Sequence, residues 1–270
     1  MESTFWDLIN KRKSVRTFDG ERLSDSDRKK LGELLKTASN PFGADVDFEI
    51  LDAKKHGLSS PVIVGAVEYL AAKVKRTDHF EIAIGYSFEK ACLLALSLGV
   101  GTVMLAASLN RGAFEKALEV KEDEVMPVAS PLGYPAEKRS IRESLMRKGL
   151  KADERKPFGT LFFKGGFDAP LTEDEAGIWT RPLQALRLAP SATNGQPWRA
   201  VIDGSAVHFY EARSMRVSSL GDIQLMDVGI GLCHFDTVRR EDGTEGAFEF
   251  CDPGIETPQN TDYVVSFVKG

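Results

Sequence analysis

The sequence predicts an α+β fold built as two related halves, and three observations carry that prediction. Segments of helical periodicity alternate with short segments of β type. The same order of segments occurs twice along the chain. The two copies also match by residue: Leu35-Lys36-Thr37-Ala38-Ser39-Asn40-Pro41-Phe42-Gly43 faces Leu186-Arg187-Leu188-Ala189-Pro190-Ser191-Ala192-Thr193-Asn194-Gly195, with Ala38 opposite Ala189 at an offset of 151. A repeat of that size means duplicated halves rather than a solenoid, whose units are far shorter, and two such halves are expected to pack about a pseudo-two-fold axis. The chain is then its own dimer, with copies at 1–160 and 161–270 in one compact unit.

In the first copy, Ser24-Asp25-Ser26-Asp27 has the character of a helix cap, and Leu31, Leu34, Leu35 and Ala38 recur at helical spacing, which predicts a helix over 24–38. Asn40-Pro41-Phe42-Gly43 stops it. Val46, Phe48 and Ile50 alternate with Asp45, Asp47 and Glu49, as a half-buried strand requires. Residues 61–70 predict a strand and 80–98 a strongly apolar helix, ended by the Gly99-Val100-Gly101 turn before a strand over 102–106. In the second copy a polar helix start at Thr172-Glu173-Asp174-Glu175 leads to a break at 190–197 and a strand over 198–202. An apolar helix over 224–238 and strands at 247–250 and 263–268 complete it. The segment Gln224-Leu225-Met226-Asp227-Val228-Gly229 corresponds, by the repeat, to Gly85-Tyr86-Ser87-Phe88 and reads as core. Gly229-Ile230-Gly231 is too short for a dinucleotide fingerprint and reads as close helix packing.

Composition bounds the function. The chain has 270 residues, 42% of them hydrophobic, which is enough for a real core. Its 28% charged residues mix both signs to a net charge of −5, so no global field recruits nucleic acid or an anionic membrane. The N-terminus lacks a basic region followed by an apolar one, and no apolar run approaches the ~18 residues of a spanning helix, which predicts a cytoplasmic protein without membrane association. Cys92, Cys233 and Cys251 are far apart and show no metal-ligand spacing, so buried inert thiols are expected and no metal site. His56, His79, His208 and His234 stand singly, as surface or core histidines do.

Two motifs carry chemistry. Lys11-Arg12-Lys13-Ser14-Val15-Arg16-Thr17-Phe18 sets four cations and a hydroxyl ahead of an apolar anchor. Arginine forks and a serine hydroxyl suit a phosphate monoester, and a solvated basic helix end is the other reading of the same residues. Ala189-Pro190-Ser191-Ala192-Thr193-Asn194-Gly195-Gln196-Pro197-Trp198 joins a helix to a strand through short polar residues. Such a loop offers amides, a hydroxyl and backbone groups that suit the pyrimidine edge and ribityl hydroxyls of a flavin.

Together the two motifs resemble the nitroreductase-like FMN family, whose hallmarks are an Arg-x-Ser-x-Arg element and a Pro-Ser-x-x-Asn-x-Gln-Pro-Trp loop. Here these are Arg12, Ser14 and Arg16, with Pro190, Ser191, Asn194, Gln196, Pro197 and Trp198. In ordinary members the loop follows the basic element within a few tens of residues, and each FMN lies at a homodimer interface. This chain departs from that pattern, because its first copy has the degenerate Ser39-Asn40-Pro41-Phe42-Gly43 where the loop belongs. It is therefore similar to the putative TM nitroreductase branch, in which a single chain looks like a fused, asymmetric dimer.

The resemblance spans nearly the whole chain. It implies an α+β nitroreductase fold with one FMN, held by the copy-one element (Arg12, Lys13, Ser14, Arg16) and the copy-two loop (Pro190, Ser191, Ala192, Asn194, Gln196). Leu98-Gly99-Val100-Gly101-Thr102-Val103 resembles the family's turn into the strand beneath the flavin, so a backbone N–H at Ala106 or Ala107 is expected near flavin N5. Pro131-Leu132-Gly133-Tyr134-Pro135 is similar to its Gly-Tyr-Pro, and Arg155-Lys156-Pro157 to the basic segment that completes the phosphate site; linker charges are the other reading of Arg155 and Lys156. No catalytic side chain is implied, because the flavin carries the chemistry. The implied reaction takes hydride from NAD(P)H through FMN to a small electron-poor acceptor such as a nitroaromatic or quinone, in a chain able to act as a monomer. An FMN storage or sensing protein, and an oxygen-dependent relative acting on flavin or a halogenated aromatic, are the alternatives.

Overall fold

The computed structural model describes residues 3–270. They form two compact units, one of residues 11–152 and one of residues 153–270 joined by residues 3–10.

The chain opens with α1 (Phe5–Lys11), and the first unit proper begins with α2 (Asp25–Leu35). The Ser24 hydroxyl accepts the Asp27 N–H, and Asp25 and Asp27 lie in the first turn, where carboxylates complement the helix dipole. Next come β1 (Val46–Asp52), the single turn α3 (Ala53–His56) and β2 (Glu68–Lys75), with β1 and β2 antiparallel from Val46 opposite Val74 to Asp52 opposite Glu68. The helix α4 (Phe80–Ser97) is buried on nearly every side, as its all-round apolar sequence requires. The unit closes with β3 (Gly101–Thr102), α5 (Arg111–Ala117), β4 (Glu124–Val125), β5 (Ala129–Gly133) and α6 (Ile141–Gly149). Its sheet runs β1-β2-β5-β3, with β4 also on β2.

Two strand expectations are corrected here. The strand expected over 61–70 begins only at Glu68. Residues before it form a loop in which Gly65 has φ +80° and a Cβ would stand 2.3 Å from the Phe18 carbonyl oxygen, so the chain turns sharply where only glycine fits. The strand expected over 102–106 shortens to Gly101–Thr102, after which Leu105 alone bridges to Ala129 and the chain bends.

The second unit runs α7 (Phe158–Leu161), β6 (Phe162–Lys164), β7 (Gly166–Pro170), α8 (Thr180–Leu188), β8 (Trp198–Asp203), β9 (Ala206–Ala212), α9 (Ile223–Glu241), β10 (Gly246–Glu249) and β11 (Thr261–Lys269). Its sheet order is β10-β11-β9-β8-β6-β7. Thr172 and Glu175 do exchange capping hydrogen bonds. The regular helix nevertheless starts at Thr180, because Gly177, between Glu175 and Thr180, takes φ +55°. The core is aromatic: the Phe235 ring lies 5.0 Å from Phe209, 5.7 Å from Phe267 and 5.8 Å from Trp179. Gly231 fulfils the close-packing expectation, since a Cβ there would stand 2.6 Å from the Leu186 side chain of α8.

The two units repeat one plan. In the first, a β1-β2 hairpin precedes a long buried helix and the sheet continues β5-β3; in the second, β8-β9 precedes α9 and the sheet continues β11-β10. The boundary differs from the expected 1–160 and 161–270 at both ends. Residues 3–10 belong with the second unit, where the Phe5 and Trp6 N–H groups donate to Glu241 and the Arg181 guanidinium stands 5.0 Å over the Trp6 ring. Among the described residues no helix is long and apolar enough to cross a membrane.

Candidate functional site

In the first unit the basic element is a connection pinned by backbone bonds. Val15 N–H donates to the Thr102 carbonyl at 3.0 Å, Phe18 N–H to Val64 at 2.8 Å, and Val64 N–H back to Arg16 at 2.9 Å. Gly101 makes room for it, because a Cβ there would meet the Val15 side chain at 3.0 Å. Arg12 does not lie open to a ligand. Its Nε and Nη2 donate to the two oxygens of Glu89 at 2.7 and 3.2 Å, and both side chains are buried, at 7% and 0% exposure. Glu89 projects from the middle of apolar α4, so Arg12 is the charge that makes its burial tolerable.

Arg16 has a different setting. Its Nε is buried without an acceptor. Burial, the largest influence, lowers its pKa; Glu143 opposes that, and Arg147 and Arg12 add to it. Glu143 is buried at the start of α6 and accepts the Thr17 hydroxyl at 2.7 Å, while its own N–H donates to Ser140. The charges that act on Arg16 are thus Glu143, itself 4% exposed, and the guanidinium groups of Arg147 and Arg12, the latter paired with Glu89. Ser14 is half-buried and Lys13 exposed. Ala106 and Ala107 occupy the bend after Leu105, where the Ala106 carbonyl accepts Arg111 at 2.6 Å and Ala107 is exposed.

In the second unit α8 ends at Leu188, and Ala189 takes φ −55° and ψ 146°, as a residue before proline must. The chain from Ser191 to Gln196 then folds into a turn with three non-glycine residues in the left-handed region: Thr193 (φ 52°), Asn194 (φ 58°) and Gln196 (φ 50°). Such residues are individually unfavourable and persist where surrounding bonds dictate them. The Ser191 hydroxyl accepts the Gln196 N–H at 2.9 Å. The Gln196 carboxamide oxygen accepts the Lys156 N–H at 2.9 Å, and the Lys156 ammonium donates to the Gly195 carbonyl at 2.6 Å. Arg155 donates to Leu188 at 3.0 Å, and the Asn194 amide donates to the Glu154 carbonyl at 3.1 Å. Arg155 and Lys156 therefore clamp this turn in the second unit. Burial, with Arg199 adding to it, holds the Lys156 ammonium below its ordinary range.

A carboxyl supports the turn from α9. Asp227, 4% exposed, accepts the Ala192 N–H on its two oxygens at 3.1 and 3.0 Å. Burial, and then the nearby Asp222 and Glu211, push its pKa well above the usual carboxylate range. The segment 224–229 is largely buried, as expected for core, and Asp227 makes this contact from within it.

A family model described as "Putative TM nitroreductase" matches residues 4–238. The chain belongs to this family. The nitroreductase fold is shared with a putative nitroreductase of Thermotoga maritima, 19% identical, with 99% of this chain and 94% of that one aligned at a TM-score of 0.65. A nitroreductase family protein of Clostridium novyi NT aligns over 50% of this chain and 87% of its own, at 16% identity and a TM-score of 0.43. A putative NADH dehydrogenase/NAD(P)H nitroreductase of Bacteroides thetaiotaomicron aligns over 50% and 89%, at 19% identity and a TM-score of 0.42. None of the curated proteins matches the chain.

Nitroreductases are oxidoreductases, and the family places the chain in that class. The structure adds residues that the motifs left unmarked. Glu89 and Asp227 are acids set among apolar neighbours in their helices, which is the sequence signal that could have exposed them. Glu143 and Arg147 lie on α6, a helix the sequence reading did not mark, where the Ser140 hydroxyl caps the first turn by accepting the Glu143 N–H. Of the cysteines, Cys92 and Cys233 are buried as expected, with the Cys92 thiol pushed up to about 12 by burial; Cys251 is exposed, which corrects its assignment. His208 and His234 are core histidines, on the Ser266 hydroxyl at 2.7 Å and the Ala185 carbonyl at 3.1 Å.

Proposed function

We propose that this chain is an FMN-dependent oxidoreductase that takes reducing equivalents from NAD(P)H and passes them to a small electron-poor acceptor such as a nitroaromatic or quinone. The observation that carries the reading is the buried Arg16 Nε without an acceptor. Leaving such a donor unmade costs ~1–3 kcal/mol, and a phosphate oxygen supplies the missing acceptor in charge-assisted form. Arg16, with Ser14 and Lys13 beside it, fits the phosphate end of FMN. The 191–196 turn, taken by itself, offers groups that suit the polar parts of a flavin. The turn is held in an unusual conformation by bonds from Arg155, Lys156 and Asp227, with the Gln196 carboxamide spent on Lys156 and Asn194 inside it.

When bound, FMN supplies the redox chemistry, so no side chain need act as acid or nucleophile. The residues named here bind and orient. Arg16 fixes the anionic end, the turn presents donors and acceptors of fixed direction, and the backbone at Ala106 and Ala107 offers N–H groups in the bend after β3. The chain is proposed to work as a monomer with one FMN.

The test is an FMN titration of the purified protein, followed by NAD(P)H consumption with and without a nitroaromatic and by solution mass. We expect FMN uptake near one equivalent per chain, flavin retained by the monomer, and acceptor-dependent NAD(P)H consumption. A protein that takes up no FMN would sink the proposal. FMN uptake without NAD(P)H turnover would favour storage or sensing instead.

A further inference from the structure

Asp227 is a buried carboxyl that flavin binding and electron transfer do not by themselves require. It lies in the second turn of α9, an otherwise strongly buried helix, and its two oxygens converge on one backbone donor, the Ala192 N–H, at 3.1 and 3.0 Å. That donor opens a turn in which Thr193, Asn194 and Gln196 all take positive φ. L-residues do not hold such a run unaided, so external bonds must select it. Arg155 and Lys156 hold the carbonyl side of the turn, through Leu188, Gly195 and Gln196. Asp227 holds an N–H side that those cations cannot serve.

We propose that Asp227 is a positioning residue for the flavin-binding turn: by taking the Ala192 N–H on its carboxyl it fixes the direction in which residues 191–196 present their amides, hydroxyl and backbone to the ligand. The inference rests on the FMN reading above. Asp227 does not itself touch the flavin; it acts through the turn.

The surroundings make this contact sensitive to pH. Glu211, at the end of β9, and Asp222, the N-cap of α9, are the acids that act on Asp227. Arg213, between those elements, stands 3.1 Å from each of them. On the turn itself, Arg155 and Lys156 spend donors on backbone carbonyls, and Arg187 of α8 donates to the Lys156 carbonyl. Asp227 is thus left with a backbone dipole rather than a cation, and its proton is held to higher pH than in the unfolded chain. Ligand over the turn excludes more water and raises that pKa further, so binding takes up a proton and FMN affinity falls as pH rises through the titration of Asp227.

The experiment uses the full chain as parent, Asp227→Asn and Asp227→Ala. Two quantities are measured: amide hydrogen exchange of residues 191–196 without flavin, and FMN dissociation constants from about pH 5 to about pH 9. Asp227→Ala is expected to speed exchange in the turn by about tenfold or more and to weaken FMN comparably. Asp227→Asn keeps an acceptor oxygen but cannot ionise. It is expected to hold the turn as the parent does and to lose the part of the pH dependence that belongs to Asp227. The titration of the FMN phosphate is common to both proteins and cancels in their comparison. Exchange in Asp227→Ala equal to the parent's, or identical pH profiles for the parent and Asp227→Asn, would overturn the proposal. Should Asp227→Ala fail to fold, the comparison with Asp227→Asn decides. Should the parent take up no FMN, the flavin reading falls, and the exchange rates alone decide whether Asp227 positions the turn.

Discussion

Arg12 and Arg16 look equivalent in the sequence, four residues apart in one basic element, yet their partners make them different residues. Arg12 is committed to Glu89, with both side chains at 7% exposure or less. Removing one member of such a pair leaves an uncompensated buried charge and costs ~3–5 kcal/mol. Arg12→Ala is therefore expected to lower unfolding free energy by about that amount, and Arg12→Met with Glu89→Leu to recover most of it, as measured by urea titration. Arg16→Ala removes a donor that has no internal acceptor at Nε, so its stability cost is small. Its effect is expected in binding: FMN weakened by about one to two decades, the loss of ~1.5–3 kcal/mol from a charge-assisted bond, with riboflavin nearly unaffected. Equal losses for FMN and riboflavin would remove Arg16 from the phosphate assignment.

Among the elements, the 191–196 turn and the segment matched to it at 39–43 spend their asparagines differently. Asn40 is a structural staple: its amide donates to the Ala44 carbonyl at 2.8 Å and the Ser87 hydroxyl at 3.0 Å, and its oxygen accepts the Phe42 N–H at 3.0 Å. Asn194 instead sits in a left-handed run with a β-branched neighbour, Thr193, at φ 52° and ψ 19°. A strained conformation at that position identifies a test. Thr193→Gly relieves the left-handed penalty of ~1–2 kcal/mol at an entropic cost of ~0.5–1 kcal/mol, so unfolding free energy is expected to stay level or rise slightly. The same change frees the turn, and FMN affinity is expected to fall. Denaturant titration and flavin titration on one preparation would check both; a variant less stable than the parent yet equally able to bind FMN would refute the assignment of strain to ligand presentation.

For the whole molecule, the N-terminal helix belongs to the unit formed by the far end of the chain. Residues 3–10 group with residues 153–270, through Glu241 beneath the Phe5 and Trp6 N–H groups and Arg181 over Trp6. Deleting residues 1–10 is expected to destabilise the 153–270 unit first. The lost cation–π contact is worth ~0.5–1 kcal/mol, and the bonds to Glu241 add ~1–2 kcal/mol. Hydrogen exchange resolved by segment would show faster opening in α8 and α9 than in α2 and α4; uniform acceleration, or none, would contradict this.

What the sequence determined by itself is what depends on neighbours in the chain. Periodicity placed α2, α4, α9, β1, β8 and β11 within a few residues, and an offset of 151 anticipated the repeated sheet order, because alternation and capping are local properties. The basic element and the polar turn were legible for the same reason. Tertiary structure decided the partners. Glu89 takes Arg12, Asp227 takes Ala192, and Arg155 and Lys156 take the turn's carbonyls, across separations of 77, 35 and 33 to 40 residues. Side-chain charge and hydrogen-bonding capacity are written in each residue, but which of them is spent inside the protein and which is left for a ligand is set by burial. Burial belongs to the packed chain and to no single segment of it.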